Sequence, residues 1–175
     1  KELNIAFTRK MKINIDTITH ASKELIGNII RTPTIRSQHL SSEINGEVFL
    51  KLENLQYTSS FKVRGAYTSI TRLKEEQKKM GVIAMSAGNH AQAVAWWAKK
   101  ERVNATIVMP EQAPLFKVMK TKSLGADVIL RGRTLNESQT YVSELVNDKK
   151  LTLIHPYDDS NVVIGQGTLG LEFME

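Results

Sequence analysis

The sequence predicts an α/β fold: an open, mostly parallel, twisted sheet with flanking helices. Four short apolar runs carry this reading: Val82-Ile83-Ala84-Met85, Ala105-Thr106-Ile107-Val108-Met109, Asp127-Val128-Ile129-Leu130 and Leu151-Thr152-Leu153-Ile154. They are short and rich in β-branched residues, as parallel strands buried on both faces are. Helical patterns fill the intervals, over residues 91–102, 114–124 and 135–147. Strand and helix alternating at this spacing give βαβ units.

Taken in chain order, residues 1–10 fit neither the helical nor the strand period, and residues 1–15 read as a disordered arm or a cloning-derived extension. Asp16 can cap a helix running to Ile30, which Thr32-Pro33-Thr34 breaks. Ser37 can cap a short second helix, and residues 47–53 alternate as a half-buried strand. A helix is then expected over 61–79, with Val63, Ala66, Ile70 and Leu73 on one face. Trp96-Trp97 in the next helix reads as core plus a partly buried neighbour. Gly125 is placed to end the helix over 114–124. In the helix over 135–147, Leu135, Val142, Leu145 and Val146 recur at helical spacing. The sequence stops at Met174-Glu175 inside an apolar periodic run with no stop signal, so a piece of a longer protein is expected.

Composition narrows the function classes. The chain of 175 residues has no cysteine, which removes disulfides, thiolate metal sites and cysteine nucleophiles. Its net charge of +6 is scattered among acidic residues and forms no basic stripe with interleaved aromatics, so no nucleic-acid partner is expected. No apolar run reaches the length that spans a bilayer and no signal-peptide layout appears; a cytoplasmic protein with no membrane partner is the expectation.

Ligands of open parallel sheets bind at the carboxyl ends of the strands. Two loops stand out there: Ser86-Ala87-Gly88-Asn89-His90 and His155-Pro156-Tyr157-Asp158-Asp159. The first combines small and polar residues before a helix, a pattern that makes either an anion site or a plain capped turn. Lys62 lies between Phe61 and Val63 at a loop-to-helix junction. A lysine there is either a solvated surface residue or a partly desolvated amine fit for carbonyl chemistry. Gly165-Gln166-Gly167-Thr168-Leu169-Gly170 matches the dinucleotide-binding pattern, but the run before it is short and Asp158-Asp159-Ser160-Asn161 looks like a helix start. The histidines His20, His39, His90 and His155 show no metal spacing.

Ser60-Phe61-Lys62-Val63-Arg64-Gly65-Ala66, Ser86-Ala87-Gly88-Asn89-His90-Ala91-Gln92, Pro156-Tyr157-Asp158-Asp159 and Gly165-Gln166-Gly167-Thr168 with Glu172 occur in that order. Together they resemble the threonine dehydratases (threonine ammonia-lyases), members of the tryptophan-synthase-β-like, fold type II pyridoxal-phosphate enzymes. The likeness runs from about Thr17 to Glu175. It implies the N-terminal half of a catalytic domain: residues 16–60 belong to the larger cofactor domain, 61–160 to a smaller βα domain, and 161–175 return to the larger one. It implies that Lys62 carries pyridoxal 5′-phosphate through an imine, that Phe61 lies against the cofactor ring, and that Asn89 bonds the ring's 3′-oxygen. Ser86, Asn89 and His90 would line the loop that grips the substrate carboxylate. Gly165 to Thr168 would be a structural helix start.

The activity so implied is dehydration and deamination of L-threonine, and of L-serine, to a 2-oxo acid and ammonia by a homo-oligomer, dimer or tetramer. Ala87 stands where related serine racemases carry a serine that donates a proton on the opposite face, so elimination is favoured over racemisation. The family's Gly-rich phosphate loop does not occur within these residues, and the isolated chain is expected to show little ammonia-lyase activity. A serine racemase-like enzyme, an inactive segment or interaction module, and a nicotinamide-dependent oxidoreductase are the competing readings.

Overall fold

Four parallel strands form the centre of the computed structural model, which describes residues 12–175. The arm expected over residues 1–15 therefore falls mainly outside the described residues. The strands are β3 (Val82–Met85), β4 (Ala105–Met109), β5 (Asp127–Leu130) and β6 (Thr152–Leu153), in the order β5-β4-β3-β6. β3 pairs with β4 from Val82↔Ala105 to Met85↔Val108, and on its other side with β6 at Val82↔Thr152 and Ile83↔Leu153. Successive strand side chains face opposite ways. Val82 and Ala84, with Ala105, Ile107 and Met109, enter the main core on one face. Ile83 and Val108 enter a second cluster with Val142 and Leu145 of α7 (Leu135–Lys149) on the other.

Two of the expected strands differ from the sequence reading. β5 is half-exposed, with Asp127 and Leu130 open to solvent, because it lies at the sheet edge. β6 is only two residues long: Ile154 N donates to the Ile83 carbonyl at 2.9 Å, and Pro156 then offers no N–H to continue the ladder.

The N-terminal part holds α1 (Ile15–Glu24), β1 (Thr34–Arg36), α2 (Gln38–Glu43) and β2 (Phe49–Lys51), followed by a 3-10 turn at Glu53–Leu55. α1 is capped by Asn14 in a reciprocal box with Thr17, not by Asp16, and it stops well before Ile30. Gly27 soon after it takes φ +77, a left-handed turn that a continuing helix cannot contain. The expected strand over 47–53 shrinks to the three residues that pair antiparallel with β1. Ser37 caps α2, as its spacing suggested.

The helix expected over 61–79 is two helices, α3 (Lys62–Thr71) and α4 (Glu75–Met80). Lys74 breaks them with an extended backbone, and the Gln77 side chain accepts its N–H at 3.0 Å. α5 (Asn89–Lys100) buries Ala91, Ala93, Val94, Ala95, Trp97 and Ala98. Trp97 is core and Trp96 half-buried, stacked on Tyr57 with ring centroids 4.6 Å apart. α6 (Leu115–Ser123) links β4 to β5, and Gly125 follows its end at φ +100.

α8 (Ser160–Met174) crosses α3 with backbone against backbone. A methyl group at Gly165 would meet the Arg64 carbonyl oxygen at 2.6 Å and the Gly65 Cα at 2.7 Å. Only glycine on both helices permits this approach, so α8 fixes the base of the helix that begins at Lys62. No described helix is long and apolar enough to cross a membrane.

Candidate active site

The order β5-β4-β3-β6 places consecutive strands on one side of β3 and returns the chain to its other side. A crevice opens at such a reversal, at the carboxyl ends of the two strands that flank it. Here these are β3, followed by Ser86-Ala87-Gly88, and β6, followed by residues 154–158.

Lys62 is the first residue of α3. Its Nζ donates to the Pro156 carbonyl at 2.9 Å, which brings the amine to the segment after β6. The Phe61 ring lies under it, 5.3 Å from Nζ to centroid. Burial holds the Lys62 amine below the usual lysine range, so more of it is unprotonated than in a surface lysine. An ammonium at a helix N-terminus also opposes the helix dipole. The loop leading to it stores strain, since Ser59 takes φ +57 without being glycine.

His90, in the first turn of α5, is buried and meets the same segment two carbonyls earlier: its Nε2 lies 2.8 Å from the Ile154 oxygen. A carbonyl only accepts, so Nε2 carries the proton and Nδ1 presents a bare lone pair. That Nδ1 is buried without a partner. Burial, aided by the charges of Lys62 and His155, pulls the His90 pKa down to about 4 against the bond to Ile154, so the ring is neutral. Ser86 Oγ accepts the Gly88 N–H at 3.1 Å and shapes the loop. Asn89, exposed, begins α5. The first N–H groups of this helix lack helical partners and point where an anion would sit.

Other buried polar side-chain atoms without partners include Thr58 Oγ1 and Ser60 Oγ, just before Lys62, and Gln92 Oε1, just after His90; Trp97 Nε1 and Gln166 Nε2 are two more, farther along α5 and in α8. Several unmet hydrogen-bonding groups thus lie on the two segments that lead to and from the crevice. A polar ligand carrying an aldehyde and anionic oxygens fits this set: an amine held below its usual pKa, an aromatic face beside it and a helix N-terminus close by.

Behind Lys62 lies a buried charge network. Arg64, with no exposed surface, binds both oxygens of Glu53 at 2.8 and 2.9 Å. It also donates to Thr168 Oγ1 at 3.2 Å. Lys51 Nζ reaches Glu172 at 2.7 Å and the Thr32 carbonyl at 2.6 Å, and Thr32 Oγ1 donates to Glu53 at 2.6 Å. Burial alone would raise the Glu172 pKa, but hydrogen bonds from Arg64 and Lys51 hold it below the usual carboxylate range. Sequence reasoning gave Arg64, Glu53 and Lys51 no role; their one signal was Arg64 inside the Lys62 motif.

The expected site residues are distributed as follows. Lys62 and His90 converge on residues 154–156, Phe61 flanks the amine, and Ser86 and Asn89 lie on the loop and first helical turn that lead to His90. Gly165 to Gly170 are a different matter. They lie inside α8, not at its start, because Asp159 caps the helix by accepting from Asn161 N at 2.7 Å and Val162 N at 3.1 Å. The glycine pattern therefore offers no phosphate loop, and neither a nicotinamide site nor a helix start at Gly165 fits this geometry. Among the described residues no group of three acidic, histidine or cysteine side chains could hold a metal.

Comparison with known proteins places the chain in a family. The sequence model of the family described as pyridoxal-phosphate dependent enzyme matches residues 25–175. The catabolic L-threonine dehydratase TdcB of Staphylococcus aureus (strain USA300) is 51% identical over 164 residues, which are 93% of this chain and 47% of that protein. The chain thus spans about half the length of the curated relatives it matches. Among solved structures, maize serine racemase aligns with a TM-score of 0.88 at 34% identity, over 94% of this chain and 50% of that one. The processed form of threonine deaminase isoform 2 from Solanum lycopersicum aligns with a TM-score of 0.82 at 35% identity, over 96% of this chain and 48% of that one.

Proposed function

The chain belongs to the pyridoxal-phosphate dependent enzyme family, and from that premise we propose that it dehydrates and hydrolytically deaminates L-threonine, and L-serine, to 2-oxobutanoate or pyruvate and ammonia, the water lost in the first step being taken up again in the second. The observation that carries this reading is the Lys62 amine, desolvated and aimed across the crevice at the Pro156 carbonyl. When bound, pyridoxal phosphate draws electrons from the substrate α-carbon and makes its C–H acidic.

The chain's own residues supply the rest. Lys62 Nζ holds the cofactor and serves as general base for the α-proton, a role that its lowered pKa supports. Phe61 would pack against the cofactor ring, and Asn89 would hydrogen-bond its 3′-oxygen. The loop from Ser86 and the first N–H groups of α5 receive the substrate carboxylate. His90 contributes its backbone there, since its imidazole is committed to Ile154. Ala87 has no proton to donate to the opposite face, which disfavours racemisation even though a serine racemase is among the structural neighbours.

The name of the 51% identical relative supports a catabolic role over a biosynthetic one. A cytoplasmic homo-oligomer, dimer or tetramer, comes with the family resemblance. The test is direct: full-length protein given pyridoxal phosphate and threonine forms 2-oxobutanoate, and Lys62→Ala does not. Undiminished product from Lys62→Ala contradicts the reading.

A further inference from the structure

The segment after β6 carries one histidine that the proposed chemistry does not use. His155 is half-buried, and its ring meets Tyr157 edge-on with centroids 4.6 Å apart. Its Nδ1 accepts two backbone N–H groups, from Tyr157 at 3.3 Å and from Asp158 at 2.8 Å. An acceptor of two N–H donors has no proton of its own, so this nitrogen is bare. Burial favours the same neutral state, against the opposing charges of Asp158 and Asp159.

The peptide unit between residues 156 and 157 makes this bond consequential. Its N–H belongs to Tyr157 and its C=O to Pro156. The unit is planar, and no cis peptide occurs among the described residues, so the two groups point in opposite directions. Binding the N–H on one side therefore aims the carbonyl to the other, where Lys62 Nζ meets it at 2.9 Å. The proline ring fixes φ at residue 156, so within that residue only ψ is soft, and the two torsions of residue 155 are the others that orient this plane. Upstream, the Ile154 peptide is already tied by Ile83 and His90. The turn that His155 closes is the remaining freedom.

We propose that His155 is a positioning residue whose Nδ1 closes the turn over Tyr157 and Asp158 and thereby sets the Pro156 carbonyl that receives the Lys62 amine. Its chemical consequence rests on the reading of Lys62 as the reactive amine; its structural content does not.

Two substitutions separate the acceptor from the ring. His155→Phe keeps the edge-on contact with Tyr157 and removes the acceptor. His155→Asn removes the ring and keeps an oxygen that can bond N–H groups two and three residues on. By NMR, the Lys62 ε-methylene and the Asp158 amide shift in His155→Phe, and the lysine signal sharpens toward that of a free side chain. In His155→Asn both stay close to wild type. Trapping with pyridoxal phosphate and borohydride gives a second readout: the share of label at Lys62, relative to exposed Lys74, falls by about tenfold in the Phe variant, as loss of placement predicts. An unchanged Lys62 signal in His155→Phe, or an Asn variant as disturbed as the Phe one, overturns the proposal. So does a protonated Nδ1 at His155 in the ¹⁵N spectrum of the wild-type protein near neutral pH, which requires no substitution. Wild-type protein that labels Lys62 no faster than Lys74 contradicts instead the role of Lys62, and the NMR comparison still decides the turn.

Discussion

Arg64 grips Glu172 through both carboxylate oxygens, at 2.7 Å from Nη1 and 3.0 Å from Nη2, and so ties α8 to the helix that carries Lys62. The same guanidinium holds Glu53, and Lys51 supplies the second cation, so two positive and two negative side chains share one buried site. A balanced network of this kind is costly to open, because each charge left behind is buried and unpaired. Arg64→Met leaves Glu53 and Glu172 facing each other without their common partner. The expected loss is about 3–5 kcal/mol of stability, read as a fall in the urea midpoint at unchanged slope. An unchanged midpoint would show that the network contributes little.

Two glycines of one helix predict opposite effects. At Gly165 a methyl group would lie 2.6 Å from the Arg64 carbonyl oxygen, which is backbone and cannot swing away. Gly165→Ala must push α3 and α8 apart, at a cost of roughly 1–3 kcal/mol or more. Gly170, on the same helix, has nothing within 4 Å of the position a methyl would take. Gly170→Ala should raise stability by about 0.5–1 kcal/mol through helix propensity. Thermal melts of the pair check both signs, and a destabilised Gly170→Ala would count against the packing described.

His90 gives the protein a stability that depends on pH. Its pKa falls from 6.5 to about 4 on folding, so between these values the unfolded chain binds a proton that the folded one refuses. Stability is therefore fully present above about pH 6.5, declines as pH falls and is lost below about 4. The contribution is on the order of 3 kcal/mol. His155, also shifted downward, adds a slope of the same sign. Urea unfolding across this range should show the decline, and His90→Gln should flatten it. A slope equally steep in the variant would assign the effect elsewhere.

The sheet centre was legible because β3 and β4 are buried on both faces, and such strands show as plain apolar runs. β1 was not legible: Thr34, Ile35 and Arg36 are all exposed, and only pairing with residues 49–51 makes them a strand. The break between α3 and α4 hangs on the extended backbone of Lys74, which no apolar period reveals. The ordered motifs located Lys62, Asn89 and His90 without showing what each would touch. Arg64 meets Glu53 eleven residues before it and Glu172 near the other end of the sequence, and neither spacing follows a helical or strand period that would reveal the pairing. The glycines at 165–170 were ambiguous for the complementary reason, although the helix start legible at residues 158–161 already told against a phosphate loop. Close helix packing and phosphate binding both demand glycine, and only the position of the Asp159 cap tells them apart.

If the desolvated amine of Lys62 is the protein's reactive group, reduction with borohydride after exposure to pyridoxal phosphate, followed by mass mapping of the modified lysine, will find it. The label should fall on Lys62 ahead of the surface lysines, and the imine absorbance should vanish in Lys62→Ala. A label spread evenly over the exposed lysines, or an absorbance that survives in Lys62→Ala, would contradict it.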